Sequence, residues 1–206
     1  MIKNIVFDFG GVLCDLDFEH CIAAFADLGY PIELLNHEVI SSGIFQKYNI
    51  GTISEKVFFD HLRQQGNLHY ATDKLLIDTW NKIILSVPAQ RFEALKELEK
   101  HYTIYLLSNT NYTHWQYSLD HVWNYQGESF TKHFKQIFLS YEMHKEKPNK
   151  DIFEEVVHSA DILPQESLFI DDTKENVDTA KSLGFHVLQA IGDEWIEPVV
   201  GKPMHC

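Results

Sequence analysis

The chain has 206 residues, of which 45% are hydrophobic and 13% aromatic, enough to bury the core of one domain or of one domain with an insertion. Thirty acidic residues against 17 basic residues give a formal net charge of -13, which argues against binding a nucleic-acid backbone. No apolar run approaches the length of about 20 residues that crosses a membrane, and no signal peptide precedes the first predicted strand, so we expect a cytoplasmic protein without nucleic-acid or membrane partners.

The first predicted element is a buried strand that ends in a single carboxylate. Residues 5–7 are Ile-Val-Phe, and Asp8 follows them shortly before Gly10 and Gly11. A carboxylate is costly to bury alone, so an acid in this place is normally paired or holds a cation. Glycines allow the backbone to come close to a ligand. The alternative is that Asp8 only caps a turn.

A helical region follows this strand. Apolar residues three or four apart predict a first helix, and they are Phe18, Ile22, Phe25 and Leu28. The pattern indicates further helices from Ile32 to about Leu85, and Thr52 is the predicted N-cap of a helix that begins at Ile53. No strand is predicted here.

Beyond Pro88 helices alternate with apolar strands. The predicted strands are residues 103–107, 136–140, 167–170 and 185–188. Repetition of strand, loop and helix predicts an α/β fold with a doubly wound, Rossmann-like parallel sheet that is covered by helices on both faces.

Polar residues stand at the predicted carboxyl ends of these strands, where ligands bind in such sheets. They are Asp8, Ser108, Asn109, Lys147, Asp171 and Asp172. Mg²⁺ is usually held by one or two carboxylates and a substrate phosphate. A lysine and a hydroxyl would then position the phosphoryl oxygens, so the set indicates phosphoryl chemistry.

The order of these residues resembles the four motifs of the haloacid dehalogenase superfamily, most of whose members are phosphatases. The motifs are Asp8-x-Gly10-Gly11-Val12, Leu107-Ser108-Asn109, Lys147-Pro148 and Asp171-Asp172. Within the superfamily the chain is similar to small bacterial sugar-phosphate phosphatases, especially those that act on α-glucose 1-phosphate. The resemblance implies Mg²⁺-dependent hydrolysis of a small phosphomonoester, a phosphorylated metabolite that we expect to be a sugar phosphate such as glucose 1-phosphate.

The resemblance also implies individual roles. Asp8 would attack phosphorus to form an aspartyl-phosphate and would bind Mg²⁺ with the Gly10 carbonyl and Asp172. Asp171 would be a further metal-site acid, directly or through water. The remaining residues would hold the phosphoryl group, and they are Gly11, Ser108, the Asn109 amide and Lys147, which would also pair with Asp8.

The helical region matches the cap that these proteins insert after the first motif. We therefore expect a core domain of residues 1–16 and 87–206 and an α-helical cap of residues 17–86. A cap closes over small substrates and excludes water, so substrate choice would depend mostly on it. A monomer and a homodimer are equally compatible with the sequence.

One position departs from the family pattern. Most phosphatases of the superfamily carry a second Asp, the general acid and base, where this chain has Gly10. Its absence is expected to cost roughly 10²- to 10⁴-fold if nothing replaces it. Asp15 or Asp17 could protonate the leaving oxygen, or Asp17 could simply cap the first helix.

Two other interpretations stay open. The first is a phosphate-binding or regulatory protein that kept the fold and lost turnover. The second is a 2-haloacid dehalogenase, which also lacks the second Asp but uses a cap arginine, whereas the only arginines here are Arg63 and Arg91. Cys14, Cys21 and Cys206 show no disulfide or zinc spacing.

Two supporting assignments are also left as alternatives. Asn176 either orients Asp172 or faces solvent. The aromatic residues around Trp115 and Trp123 are interpreted as a packed helix face rather than a binding surface.

Overall fold

The computed structural model describes residues 1–35 and 43–200. Residues 36–42, which are part of the region predicted to be helical, and Cys206 lie outside the described residues. The strands are β1 (Asn4–Phe7), β2 (Thr103–Ser108), β3 (Asn124–Tyr125), β4 (Glu128–Ser129), β5 (Gln136–Leu139), β6 (Ser167–Asp171) and β7 (His186–Gln189). The α-helices are α1 (Phe18–Asp27), α2 (Gly43–Asn49), α3 (Glu55–Gln65), α4 (Asp73–Trp80), α5 (Ala89–Leu98), α6 (Tyr112–His121), α7 (Ser140–Met143), α8 (Lys150–Ala160), α9 (Lys174–Ser182) and α10 (Ile196–Val200). Short 3₁₀ turns cover Ile32–Leu35, Asn81–Ile83, Phe130–His133, Pro164–Glu166 and Gly192–Trp195.

Five strands form one parallel sheet in the order β5-β2-β1-β6-β7. The first strand lies at the centre and pairs with β2 on one side and β6 on the other. The order reverses direction around β1, and this is the place where doubly wound sheets bind ligands at their carboxyl edge. The predicted α/β, Rossmann-like fold is confirmed.

The side chains of successive residues in each strand point to opposite faces of this sheet. Ile5 and Phe7 pack into one buried cluster with side chains of α5, α6 and α10, whereas Val6 packs into a second cluster with α8 and α9. Trp115 and Trp123 belong to the first cluster, and the Trp123 ring stacks on Phe9 with centroids 4.8 Å apart. Their interpretation as packing residues is therefore confirmed.

The described elements between Phe18 and Ile83 are helical and share a buried cluster of their own. Aromatic rings dominate that cluster, and they include Phe25, Tyr30, Phe45, Tyr48, Phe58, Phe59 and Trp80. Two adjacent segments join this region to the sheet, because Asp15 N–H donates to the Ser86 carbonyl at 2.8 Å and Leu85 N–H donates to the Asp15 carbonyl at 3.0 Å. The boundaries at residues 16 and 87 stay a prediction.

Local differences from the predicted elements have simple causes. The helix expected from Ile53 begins at Glu55, because Ser54 is its N-cap and its Oγ accepts from the Val57 N–H at 3.3 Å. Thr52 instead donates through its hydroxyl to the Lys47 carbonyl. Phe18 was placed on the buried stripe of α1, yet its side chain is exposed. The two-residue strands β3 and β4 were too short to predict.

The longest helices described, α3 and α8, have 11 residues each. Crossing a bilayer takes about 20 apolar residues. None of the helices in the described ranges therefore meets the length and hydropathy that a membrane span requires.

Candidate active site

Asp8 stands directly after the central strand, at the carboxyl edge of the sheet. Its N–H continues the sheet pairing by donating to the Ile170 carbonyl at 2.8 Å, and its Oδ1 accepts from the Phe9 N–H at 2.7 Å. The residue is only 8% exposed. The parallel strands on either side therefore fix the carboxylate at the place where the loop leaves the sheet.

Lys147 is buried beneath this carboxylate. Its Nζ lies 2.9 Å from Asp8 Oδ1 and 2.6 Å from Asp171 Oδ2, and it donates to the Leu107 carbonyl at 3.0 Å. Burial alone would lower the pKa of Lys147, but the attraction of Asp171 and Asp8 outweighs burial and raises it. The ammonium is therefore charged at neutral pH, and it uses all three of its donors.

Asp171, the last residue of β6, is fully buried and fully hydrogen-bonded. Oδ1 accepts from the Thr173 N–H at 2.8 Å and from Asn176 Nδ2 at 2.9 Å, and Oδ2 accepts from Lys147. The suggestion that Asn176 orients Asp172 is wrong, because its amide contacts both oxygens of Asp171 instead. Asp171 consequently serves first as the counter-ion that holds Lys147.

The Asp172 carboxylate packs directly against the backbone of Gly11. A Cβ atom on Gly11 would lie 2.3 Å from Asp172 Oδ2, and Gly11 has a φ of +76°. The Gly11 carbonyl also accepts a hydrogen bond from the Gly192 N–H at 2.7 Å. The glycine of the first motif is therefore required both by the turn and by the approach of this carboxylate.

The three acids converge closely enough to bind one divalent cation. Asp8, Asp171 and Asp172 each offer an oxygen, and these oxygens lie within 4.8 Å of one another. Burial, with the nearby charges of Asp171 and Asp172, raises the pKa of Asp8 to about 7, although Lys147 opposes the rise. Burial and Asp171 likewise raise the pKa of Asp172. Oxygen donors crowded in this way fit Mg²⁺, whose charge would offset their repulsion.

Ser108 and Asn109 lie at the carboxyl end of β2, the strand that pairs with β1. Ser108 is the last residue of β2 and is buried, while the side chain of Asn109 forms two hydrogen bonds to the backbone of Lys147. Asn109 Oδ1 accepts from the Lys147 N–H at 2.9 Å, and Nδ2 donates to the Lys147 carbonyl at 2.8 Å. This clamp was not predicted, because nothing in the sequence pairs two residues 38 positions apart. The N-cap of α6 is Asn111 and not Ser108 or Asn109.

A cavity of about 200 Å³ opens beside these residues, between the sheet and the helical region. Phe9, Gly10 and residues 108–111 line it from the sheet side. The helical region and its connections supply mostly apolar residues, which are Leu16, Phe18, Cys21, Ile22, Leu35, Asn49, Trp80, Ile83 and Ile84. His114 completes the described lining. Of the predicted site residues, Gly10, Ser108 and Asn109 line the cavity directly.

The two acids considered as replacements for the missing Asp have other contacts. Asp17 Oδ1 accepts from the His20 N–H at 2.8 Å, so Asp17 is the N-cap of α1, as the alternative interpretation predicted. Asp15 pairs with Arg91 at 2.8 Å. No acidic side chain is found in the cavity lining that the structure describes.

Both arginines are likewise engaged away from the cavity. Arg63 binds Asp60, Asp73 and the Ala71 carbonyl, all within the helical region. Arg91 binds Asp15, Asp193 and the Leu13 carbonyl. Neither supplies a cation to a substrate in this cavity.

Comparisons with known proteins agree with this geometry. The model of a family described as haloacid dehalogenase-like hydrolase matches residues 2–184. The D-ribitol-5-phosphate phosphatase of Bacteroides thetaiotaomicron is 32% identical over a match of 199 residues that covers 95% of this chain and 95% of that protein.

Solved structures give the same result. The HAD family enzyme BT-2542 of B. thetaiotaomicron, in complex with magnesium and inorganic phosphate, is 34% identical with a TM-score of 0.86, over 92% of this chain and 94% of that chain. A predicted HAD-like family hydrolase of Porphyromonas gingivalis is 32% identical with a TM-score of 0.89, over 98% and 97% of the two chains.

Proposed function

Because the chain belongs to the haloacid dehalogenase-like hydrolase family, we propose that it is a Mg²⁺-dependent phosphatase whose Asp8 attacks a small sugar or polyol phosphate. The observation that carries the proposal is the Lys147 ammonium held between Asp8 and Asp171, beside a cavity lined by Ser108 and Asn109. The relative that acts on D-ribitol 5-phosphate supports this substrate class. Glucose 1-phosphate as the particular substrate stays a prediction.

The metal would be held by Asp8, the Gly10 carbonyl and Asp172. Asp171 is the least suited to direct ligation, since both of its oxygens already accept hydrogen bonds. When bound there, Mg²⁺ supplies positive charge that offsets the charge of the carboxylates and of the phosphoryl oxygens. The HAD family enzyme BT-2542, whose structure is a complex with magnesium and inorganic phosphate, supports Mg²⁺ as the metal.

The reaction would proceed in two displacements at phosphorus. In the first, an Asp8 oxygen forms a bond to phosphorus while the bond to the ester oxygen breaks, and the leaving group departs as an alcohol after it takes a proton. In the second, water attacks phosphorus, which releases inorganic phosphate and restores the Asp8 carboxylate.

The surrounding groups would stabilise the charge on the phosphoryl oxygens. Lys147 is positioned by Asp171 and by the Asn109 clamp, so its positive charge would offset the charge of a phosphoryl oxygen while its existing hydrogen bonds are kept. The Ser108 hydroxyl and the Asn109 N–H would donate to the other oxygens. Gly11 leaves room for Asp172 and for the phosphoryl group to approach the backbone.

The helical residues 17–86 are proposed to be the cap that covers the leaving group. Their side chains form the opposite wall of the cavity, and that wall is largely apolar. Water would be excluded there, which strengthens the electrostatic contacts to the phosphoryl group. The predicted monomer or homodimer and the cytoplasmic location stay predictions.

The two acids considered as replacements for the missing Asp, Asp15 and Asp17, have other contacts, which favours one second candidate, a phosphate-binding protein without turnover. In an active enzyme water would protonate the leaving oxygen, so substrates with good leaving groups are expected to react fastest. A dehalogenase is not favoured, because Arg63 and Arg91 both bind elsewhere.

The deciding experiment is phosphate release from p-nitrophenyl phosphate, D-ribitol 5-phosphate, glucose 1-phosphate and related sugar phosphates. It is run with Mg²⁺ and with chelator, on the wild type and on Asp8→Asn. Turnover that requires both Mg²⁺ and Asp8 supports the phosphatase. Binding of Mg²⁺ and a phosphate mimic without release from any substrate would support the non-catalytic candidate instead.

A further inference from the structure

One amide in the cavity wall keeps a donor that no described residue uses. Asn49, the last residue of α2, lines the cavity, and its Oδ1 accepts from Asn111 Nδ2 at 3.1 Å. Within residues 1–35 and 43–200 no acceptor contacts Asn49 Nδ2. Asn49 is half-buried and lines the cavity, so a ligand in the cavity can lie next to its side chain.

The neighbouring hydrogen bonds fix which end of this amide is the donor. The His114 N–H donates to Asn111 Oδ1 at 3.0 Å, and a backbone N–H can face only an acceptor. The other end of Asn111 is therefore Nδ2, and the Asn49 atom that it meets must be the oxygen. The free end of Asn49 is consequently Nδ2.

The same network continues through His114 and holds the amides rigidly. His114 Nδ1 lies 3.2 Å from Asn111 Nδ2 and accepts from it, so the proton is on Nε2, which donates to the Trp80 carbonyl at 3.2 Å. The His114 ring also stacks on Trp80 with centroids 4.8 Å apart. Burial lowers the pKa of His114 to about 4, which is consistent with a neutral ring.

The backbone of Asn49 is fixed independently of its side chain. Its carbonyl accepts from Ser140 Oγ at 2.7 Å, and the same oxygen of Ser140 accepts from the Thr110 N–H at 2.9 Å. Thr110 and Asn111 directly follow Ser108 and Asn109, the segment assigned to the phosphoryl group. A group attached to that phosphoryl would share the cavity with the Asn49 amide.

We infer that Asn49 is a specificity-determining residue whose Nδ2 donates a hydrogen bond to a hydroxyl oxygen on the carbon chain of the substrate. The inference rests on the proposed function and deepens it. The other residues that the helical region and its connections add to the lining are mostly apolar, among them Leu16, Ile22, Ile83 and Ile84. The substrate class is therefore a phosphate ester of a polyol or sugar that turns a hydroxyl group toward Asn49 and its carbon-bound hydrogens toward these apolar side chains.

The test compares two substrates that differ in the leaving group, D-ribitol 5-phosphate and phenyl phosphate, which has no hydroxyl. The quantity measured is kcat/KM for D-ribitol 5-phosphate divided by kcat/KM for phenyl phosphate. Asn49→Ala is expected to lower this ratio about tenfold, the effect of losing one neutral hydrogen bond. Asn49→Asp keeps the oxygen that Asn111 requires and removes the donor, so the ratio should fall at least as far.

Gln64→Ala is the matched control, because Gln64 is an exposed carboxamide on α3 that does not line the cavity, and its ratio should equal that of the wild type. Thermal unfolding of each variant is recorded in parallel. If both Asn49 variants lower the two kcat/KM values by the same factor, or change neither, the inference is overturned. If the wild type hydrolyses neither substrate, the proposed function itself fails, which is a different result from an unchanged ratio.

Discussion

At the scale of single residues, the proposed metal site depends on a glycine, Gly11. Gly11 has a φ of +76°, and a Cβ atom there would overlap Asp172 Oδ2. The glycine therefore determines how near a second carboxylate can come to Asp8. Gly29 has a similar φ of +78° but has open space around it, so the chain contains its own control.

Gly11→Ala is expected to abolish most Mg²⁺-dependent turnover, because the new methyl group displaces the Asp172 carboxylate. Gly29→Ala carries the same conformational cost of about 1–2 kcal/mol and should keep its Mg²⁺ dependence. Titration of activity and of thermal stability with Mg²⁺ distinguishes the two variants. A Gly11→Ala protein with the Mg²⁺ affinity of the wild type would exclude Asp172 as a ligand.

His114 gives a prediction about pH. Burial lowers its pKa from 6.5 to about 4, so between these values the unfolded chain binds a proton that the folded chain does not. The contribution of His114 to stability is therefore complete above pH 6.5 and is lost as the pH falls toward 4, by about 3 kcal/mol in total.

The measurement is the free energy of unfolding of the wild type and of His114→Gln between pH 4 and 8. The difference between the two proteins should shrink by about this amount as the pH is lowered. A difference that does not change with pH would show that His114 is protonated in the folded protein as readily as in the unfolded chain.

The sequence predicted which residues meet at the site but not how they hold one another. Asp8, Ser108 and Asp171 each end or directly follow an apolar strand, and a parallel sheet brings such ends together. Lys147 instead lies four residues after α7. The Asn109 clamp and the contact of Asn176 with Asp171 depend on side-chain directions in three dimensions, which no spacing encodes. For the same reason the sequence could not show that Asp15 is paired with Arg91.

At the scale of elements, the loop after β1 is held by parts of the chain far from it in sequence. Three successive carbonyls accept hydrogen bonds: Gly11 from the Gly192 N–H, Val12 from Trp195 Nε1, and Leu13 from Arg91 Nη1. Arg91 also binds Asp15 and Asp193 through its remaining nitrogens. The turn Gly192–Trp195 is thus part of the support of the first motif.

Arg91→Lys should destabilise the protein and reduce turnover, because one ammonium cannot reproduce three hydrogen bonds that leave the guanidinium in different directions. We expect a loss of about 2 kcal/mol in urea denaturation, since these bonds are charge-assisted and Arg91 is buried. Arg63→Lys is the comparison, because the carboxylates that Arg63 binds, Asp60 and Asp73, are exposed and these ion pairs should contribute less to stability than those of Arg91. Equal losses in the two variants would contradict the role given to Arg91.

Element boundaries show where periodicity stops being informative. The strands of the sheet were predicted to within a residue or two, because each is a short apolar run between polar loops. The predicted start of α3 was wrong, since Thr52 and Ser54 are both good N-cap residues and the structure uses Ser54, whose backbone is extended and whose Oγ accepts from the Val57 N–H. Phe18 fits the helical stripe but lies at the cavity instead of in the core.

At the scale of the whole molecule, the sheet and the helical region meet around the cavity and are joined by direct hydrogen bonds. His144 Nδ1 contacts the Ile50 carbonyl at 2.9 Å, Tyr48 contacts Thr113, and Asn49 contacts both Asn111 and Ser140. The sheet topology followed from the alternation of strands and helices. The contacts between the two regions could not be predicted, because they join polar residues whose spacing carries no period.

The central claim is that Asp8 forms a covalent aspartyl-phosphate. The most direct measurement is a rapid acid quench of the wild type during turnover of its best sugar or polyol phosphate with Mg²⁺, followed by peptide mass spectrometry. The account predicts one phosphoryl group on the peptide that contains Asp8, and none in Asp8→Asn or in the presence of chelator. Phosphate release with no phosphoryl group on that peptide, or undiminished release by Asp8→Asn, would contradict it.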